Sequence, residues 1–159
     1  MASSTNKKVV LHRFDRTILE GFINPRSYLQ SEGIEFLTSG GEAGLVPYGD
    51  IKTARFVKEF GEDTEPIRRT FTTRPRRSGL WTRFHFRDGD TLDSILSNNL
   101  SQLDGYGFQI YPPDSSAAQR WFIPREAVRD VQVLAVIGSP LKKTPSKPKA
   151  LKGQIGLFT

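Results

Sequence analysis

The side chains best suited to chemistry in this sequence are arginines. Arg74, Arg76 and Arg77 follow Arg68 and Arg69 within one short stretch, with Phe71 between them. A guanidinium presents a planar fork of donors that fits phosphate oxygens, and an interleaved ring can stack on a base, so the pattern suits nucleic-acid contact. It equally suits docking back onto a neighbouring acidic surface. A second basic cluster, Lys142, Lys143, Lys147, Lys149 and Lys152, is mixed with Pro140, Pro145 and Pro148. That composition reads as a disordered basic tail over 139–159, either a solubilising terminus or a salt-sensitive polyanion contact.

Other chemistry finds few parts. The chain has no cysteine and two histidines, His12 and His85, which removes thiol nucleophiles, disulfides and zinc sites built on Cys or several His. The carboxylates are scattered, and Asp88 and Asp90 flank Gly89 as a hairpin turn does. Gly40, Gly41 and Gly44 lack the Lys-Ser/Thr and following helix of a phosphate loop. The expectation is a protein that is not an enzyme and holds no metal or cofactor. His12 and His85, with no acidic, serine or cysteine partner at matching positions, read as structural.

These arginines must be positioned by elements on either side. The 159 residues carry a formal net charge of +6, divided unevenly. Residues 7–57 contribute +1, 58–78 contribute +2, 79–137 contribute −2 and 138–159 contribute +5. The excess lies in the arginine stretch and the tail. Hydrophobic residues make up 36% of the chain, enough for a core, and no apolar run approaches the ~18–20 residues of a membrane helix. With only Val9, Val10 and Leu11 as an apolar run near the start, no secretory segment is expected, so the reading is cytoplasmic, with no membrane partner.

An internal repeat organises the rest. Val46-Pro47, then Ile51-Lys52 and Phe56-Val57, match Ile123-Pro124, Val128-Arg129 and Val133-Leu134 at a constant offset of 77. Upstream, 18–23 align with 91–96 and 34–37 with 108–111, so His12 and His85 fall at equivalent positions. Apolar residues alternate, and Gly and Pro interrupt every several positions, which predicts strands rather than helices. In the first unit they cover 9–14, 17–23, 33–37, 44–47 and 51–57. In the second they cover 81–87, 91–96, 106–111, 119–123 and 128–136. Gly21 marks a bend in its strand, with Ser94 as its counterpart. Trp81 and Trp121 read as core residues or contacts between the units. The fold expected is all-β: two tandem five-strand barrels at 7–58 and 79–138, a charged linker at 59–78 and the basic tail.

The first unit resembles an Sm-like barrel, the fold of the bacterial host-factor RNA chaperone and the eukaryotic Sm proteins, and more broadly an SH3-like barrel. The residues that carry the likeness are Val10 to Arg16, Leu19 to Ile23 with Gly21, and Val46 to Val57. The second unit shares it more faintly. The tandem arrangement is also similar to uncharacterised bacterial two-barrel proteins. Where the bacterial chaperone has a uridine-lining Tyr-Lys-His, this chain reads Tyr48-Gly49-Asp50, so that site is not carried over. Another small-barrel family, PilZ, binds cyclic di-GMP through Arg-x-x-x-Arg, and Arg83 and Arg87 have that spacing. Three readings follow. The first is a regulatory module for single-stranded RNA or another polyanion, using Arg74, Arg76, Arg77, Lys142, Lys143, Lys147 and Lys149. The second is a protein-interaction adaptor using a barrel groove or strand edge. The third is a PilZ-like cyclic-dinucleotide regulator.

Overall fold

A computed structural model describes residues 6–61, 70–99, 101, 103–113 and 120–138 of the chain. It is all-β over these residues. Ten strands run β1 Lys7–Arg13, β2 Ile18–Ile23, β3 Gly33–Thr38, β4 Ala43–Pro47, β5 Ile51–Val57, β6 Gly79–Phe86, β7 Thr91–Leu96, β8 Gly107–Tyr111, β9 Trp121–Pro124 and β10 Val128–Ile137. Alternation sets the faces: along β6, Thr82, Phe84 and Phe86 are buried while Trp81, Arg83 and His85 are half-buried.

The strands form one antiparallel sheet in the order β10-β6-β7-β8-β9-β5-β1-β2-β3-β4. It is open. Two self-contained, closed barrels were expected, but β5 spends its second edge on β9 of the other half, pairing Ala54 with Phe122 and Arg55 with Trp121. A strand has two hydrogen-bonding edges, so β5, already paired with β1, has none left to close its own half.

Each half nevertheless repeats the other in register. His12 faces Ile18 as His85 faces Thr91, and Gly33 faces Pro47 as Gly107 faces Pro124. The β1–β5 ladder slips between His12 and Arg13, where it skips Lys52, and the β6–β10 ladder slips at the equivalent place, skipping Arg129. The turns between β4 and β5 and between β9 and β10 are 3-10 turns, Tyr48–Asp50 and Arg125–Ala127, each entered from a proline. Close backbone approach explains the paired glycines. A Cβ on Gly33 or Gly107 would lie 2.2 Å from the facing carbonyl of Val46 or Ile123. Gly21 does mark tight packing, since a Cβ there would meet the Leu37 carbonyl at 2.3 Å.

Two hydrophobic clusters follow from this plan. The first gathers Val9, Leu11, Ile23, Ile34, Phe36, Ile51 and Ala54, and the second Phe84, Phe86, Leu92, Ile110, Trp121 and Ile123. The exchange at the seam is the informative detail: Phe122 of β9 packs in the first cluster, while Phe14 leans on the second. Trp121 is therefore both core and seam, with Arg55 stacked 4.1 Å from its ring centroid, as the sequence led one to expect.

Candidate nucleic-acid interface

The described part of the arginine stretch is folded onto the second half. Phe71 meets Trp81 edge-on at 5.8 Å between ring centroids, Pro75 is buried, and the Arg77 guanidinium lies 3.6 Å over the Tyr111 ring. Docking of the linker and exposure of its cations are thus compatible. Arg74, Arg76 and Arg77 stay exposed along a groove of about 470 Å³ that includes Tyr111 and Pro112. Arg68, Arg69, Lys142, Lys143, Lys147 and Lys149 lie outside the described residues.

Arg77 also belongs to a larger cleft, about 830 Å³, between the halves. Its cations come from three separate places: Arg26 from the β2–β3 connection, Arg77 from the linker and Arg120 just before β9. Tyr28, Tyr106 and Tyr111 supply rings, and Asp104 an opposing carboxylate. The sheet order brings them together, because β5 beside β9 sets the first half's β2–β3 loop against β8. Gln109 Nε2 ties the floor together by donating to the Tyr28 hydroxyl and to Asp104 Oδ2, both at 2.9 Å. Its Oε1 and the Nε of Arg120 are buried and have no hydrogen-bond partner among the described residues. Buried polar atoms of this kind call for a partner.

The phenols around the cleft are held neutral. Burial pushes the Tyr28 hydroxyl up, against the hydrogen bond from Gln109 and the charge of Arg120. Burial, reinforced by Tyr106 and Tyr28, pushes Tyr48 up to about 12. Tyr48 donates to the Gln30 carbonyl at 2.5 Å and stacks with Tyr106 at 5.3 Å and 14°. Tyr106 itself remains exposed at the cleft.

A second cleft of about 680 Å³ also spans the seam, between the β1–β2 and β6–β7 turns. Lys52, the bulged residue of β5, bonds Asp88 at 2.7 Å and also Asp90. Burial would raise the Asp88 carboxyl, but the Lys52 hydrogen bond, a backbone N–H and the Lys52 charge hold it below its usual value. Arg87 lies 3.9 Å over Phe14 and donates to the Gly49 carbonyl at 2.6 Å. Arg83 is forked onto buried Asp93, at 2.7 and 3.2 Å, which raises its own pKa through that hydrogen bond and charge. Both arginines of the Arg-x-x-x-Arg spacing are thus engaged within the sheet. His12 and His85 sit at matching ladder positions, His85 3.5 Å from Gln132 and 3.8 Å from Asp130. Among the described residues no group of three or more His, Cys, Asp or Glu could hold a metal ion, and no helix is long and apolar enough to cross a membrane.

The sequence singled out Arg74, Arg76 and Arg77, and the structure brings Arg77 to the cleft with Arg26 and Arg120. Those two partners stand alone among neutral neighbours in the sequence, so spacing could not reveal them.

Residues 5–135 match a family of unknown function (DUF6982), and the chain belongs to that family. Neither a curated protein nor a solved structure matches the chain.

Proposed function

We propose that this member of the family is a non-catalytic regulatory module that binds single-stranded RNA through the cleft between its halves. The observation that carries the reading is the convergence of Arg26, Arg77 and Arg120 on one cleft with an aromatic stack at its rim. Guanidinium groups grip phosphates and exposed rings accept bases, and buried Gln109 Oε1 and Arg120 Nε offer an acceptor and a donor for a base edge or sugar. Arg74 and Arg76 extend the cationic track along the linker groove, and the tail lysines add charge. The two in-register halves support an Sm-like ancestry for each, with the seam strand pairing in place of closure.

The test is fluorescence anisotropy of the full chain with a labelled single-stranded RNA pool at two salt concentrations. Three phosphate contacts predict a log–log salt slope of about −2 for a single strand. Arg77→Ala and Tyr111→Ala should weaken binding by roughly tenfold, about 1–3 kcal/mol for a lost stacking platform. Removal of 140–159 should steepen salt sensitivity less than it lowers affinity at low salt. A base-free polyphosphate that competes as well as RNA would reduce the reading to general polyanion binding. No binding at low salt would refute it and favour the adaptor reading.

A further inference from the structure

The seam inside this chain has an unused copy of itself at each end of the sheet. β5 of the first half pairs with β9 of the second, the fourth strand of that half. The counterpart of β5 is β10 and the counterpart of β9 is β4, and these are the two outer strands of the sheet. Burial records the difference. Phe122 is fully buried while its counterpart Leu45 is 45% exposed, and Val57 is 8% exposed while its counterpart Leu134 is 37% exposed. Val133 and Val136 on β10 are 55% and 62% exposed. An outer strand with a row of exposed β-branched residues is a template for another strand.

We propose that β10 of one copy pairs antiparallel with β4 of a second copy, extending the sheet head to tail. The internal seam supplies the register. Ala54 facing Phe122 and Arg55 facing Trp121 become Val131 facing Leu45 and Gln132 facing Gly44 of the second copy. Phe56 N donates to the Arg120 carbonyl at 3.1 Å, so Val133 N donates to that of Ala43.

Charges placed by the same repeat agree with this docking, although the residues differ. Lys52 holds Asp88 across the seam; the equivalents are Arg129 and Asp15, both exposed and of opposite sign. Tyr48 stacks on Tyr106 across the seam; the equivalents are Arg125 and Glu32, again exposed and opposite. Repetition of a heterologous contact yields a ring if the rotation closes and a filament if it does not. An isologous pairing of β10 with β10 would bring Arg129 and Arg125 toward their own copies and leave Leu45 uncovered.

The experiment is sedimentation or native mass measurement of the full-length chain, 17.9 kDa as a monomer, over a concentration series to about 100 μM, with two edge variants. Val133→Pro removes the outward donor on β10, and Leu45→Asp puts a charge on β4. Val133→Lys replaces the proline variant if circular dichroism shows that the proline variant is unfolded. Expected are multiples of the monomer mass for the wild type, a monomer for each variant alone, and a dimer when the two variants are mixed, because each keeps the edge the other lacks. A monomeric wild type across the series overturns the proposal. So does a Leu45→Asp variant that stays assembled, which would indicate isologous β10 pairing, or a mixture that stays monomeric.

Discussion

Phe122 is the residue whose removal most directly tests how the two halves are joined. It belongs to a strand of the second half, yet its ring is fully buried in the first half's cluster, 6.1 Å from the Tyr28 ring in an edge-on contact. Its neighbour Ile123, also fully buried, points the other way into the second cluster, as strand alternation requires. Phe122→Ala should cost about 3–5 kcal/mol, the lost transfer energy plus an unfilled cavity. With a urea dependence of roughly 2 kcal/mol per molar, the unfolding midpoint should fall by about 1.5–2.5 M. Hydrogen exchange read strand by strand supplies the decisive part. Phe122→Ala should release β1 and β2 at least as much as β6 and β7, whereas Ile123→Ala should weigh on β6 and β7. A loss below ~1 kcal/mol, or lost protection confined to β6 and β7, would refute the shared core.

Arg16 occupies the left-handed region at φ 74° in the β1–β2 turn, where the equivalent residue of the second half is Gly89 at φ 97°. Arg16→Gly should therefore stabilise the chain by about 0.5–1 kcal/mol, since the Cβ penalty of ~1–2 kcal/mol outweighs glycine's extra unfolded-state entropy; thermal unfolding checks the sign. Tyr48→Phe loses the bond to the Gln30 carbonyl and should cost about 1 kcal/mol at neutral pH. Because the folded phenol titrates at about 12 against a usual value of 10.0, the folded state holds the proton longer. The stability this group contributes is complete below pH ~10 and is lost as pH rises toward 12. Unfolding curves from pH 8 to 12 should accordingly fall more steeply for the wild type than for Tyr48→Phe, and equal slopes would refute the assignment.

Much of this fold was legible because local rules carried it. Alternation placed the strands to within two or three residues, and β5 and β7 coincide with their expected bounds. The Val46-Pro47 and Ile123-Pro124 steps marked equivalent turns, since proline fixes the entry to each 3-10 turn. The repeat offsets survive as ladder registers. What sequence could not carry was long-range choice. All four residues of β9 are buried, so nothing in its pattern says which core each side chain enters or that β5 lies beside it. The candidate cleft was hidden for the same reason. Arg77 was visible in a cationic run, but Arg26 and Arg120 acquire meaning only after the seam has brought a β2–β3 loop against β8.

The two halves have diverged where the seam makes their environments differ, and this bears on both proposals. At the internal seam the fourth strand offers Trp121 and Phe122; at the free edge the same positions are Gly44 and Leu45. Aromatic burial favours a permanent junction, whereas a glycine and one leucine flanked by exposed charges favour a reversible one. The cleft follows the same division. Around the internal seam it holds Tyr106, Gln109 and Arg120, but a junction between copies would place Glu32, Glu35 and Ala43 at those positions. Two carboxylates and the loss of a guanidinium repel a phosphate chain rather than hold it. The linker that delivers Arg77 also joins the halves of one chain and has no equivalent between copies. Head-to-tail assembly would therefore space one basic cleft per chain along the array, alternating with acidic junctions, so a bound single strand would be gripped at intervals rather than continuously.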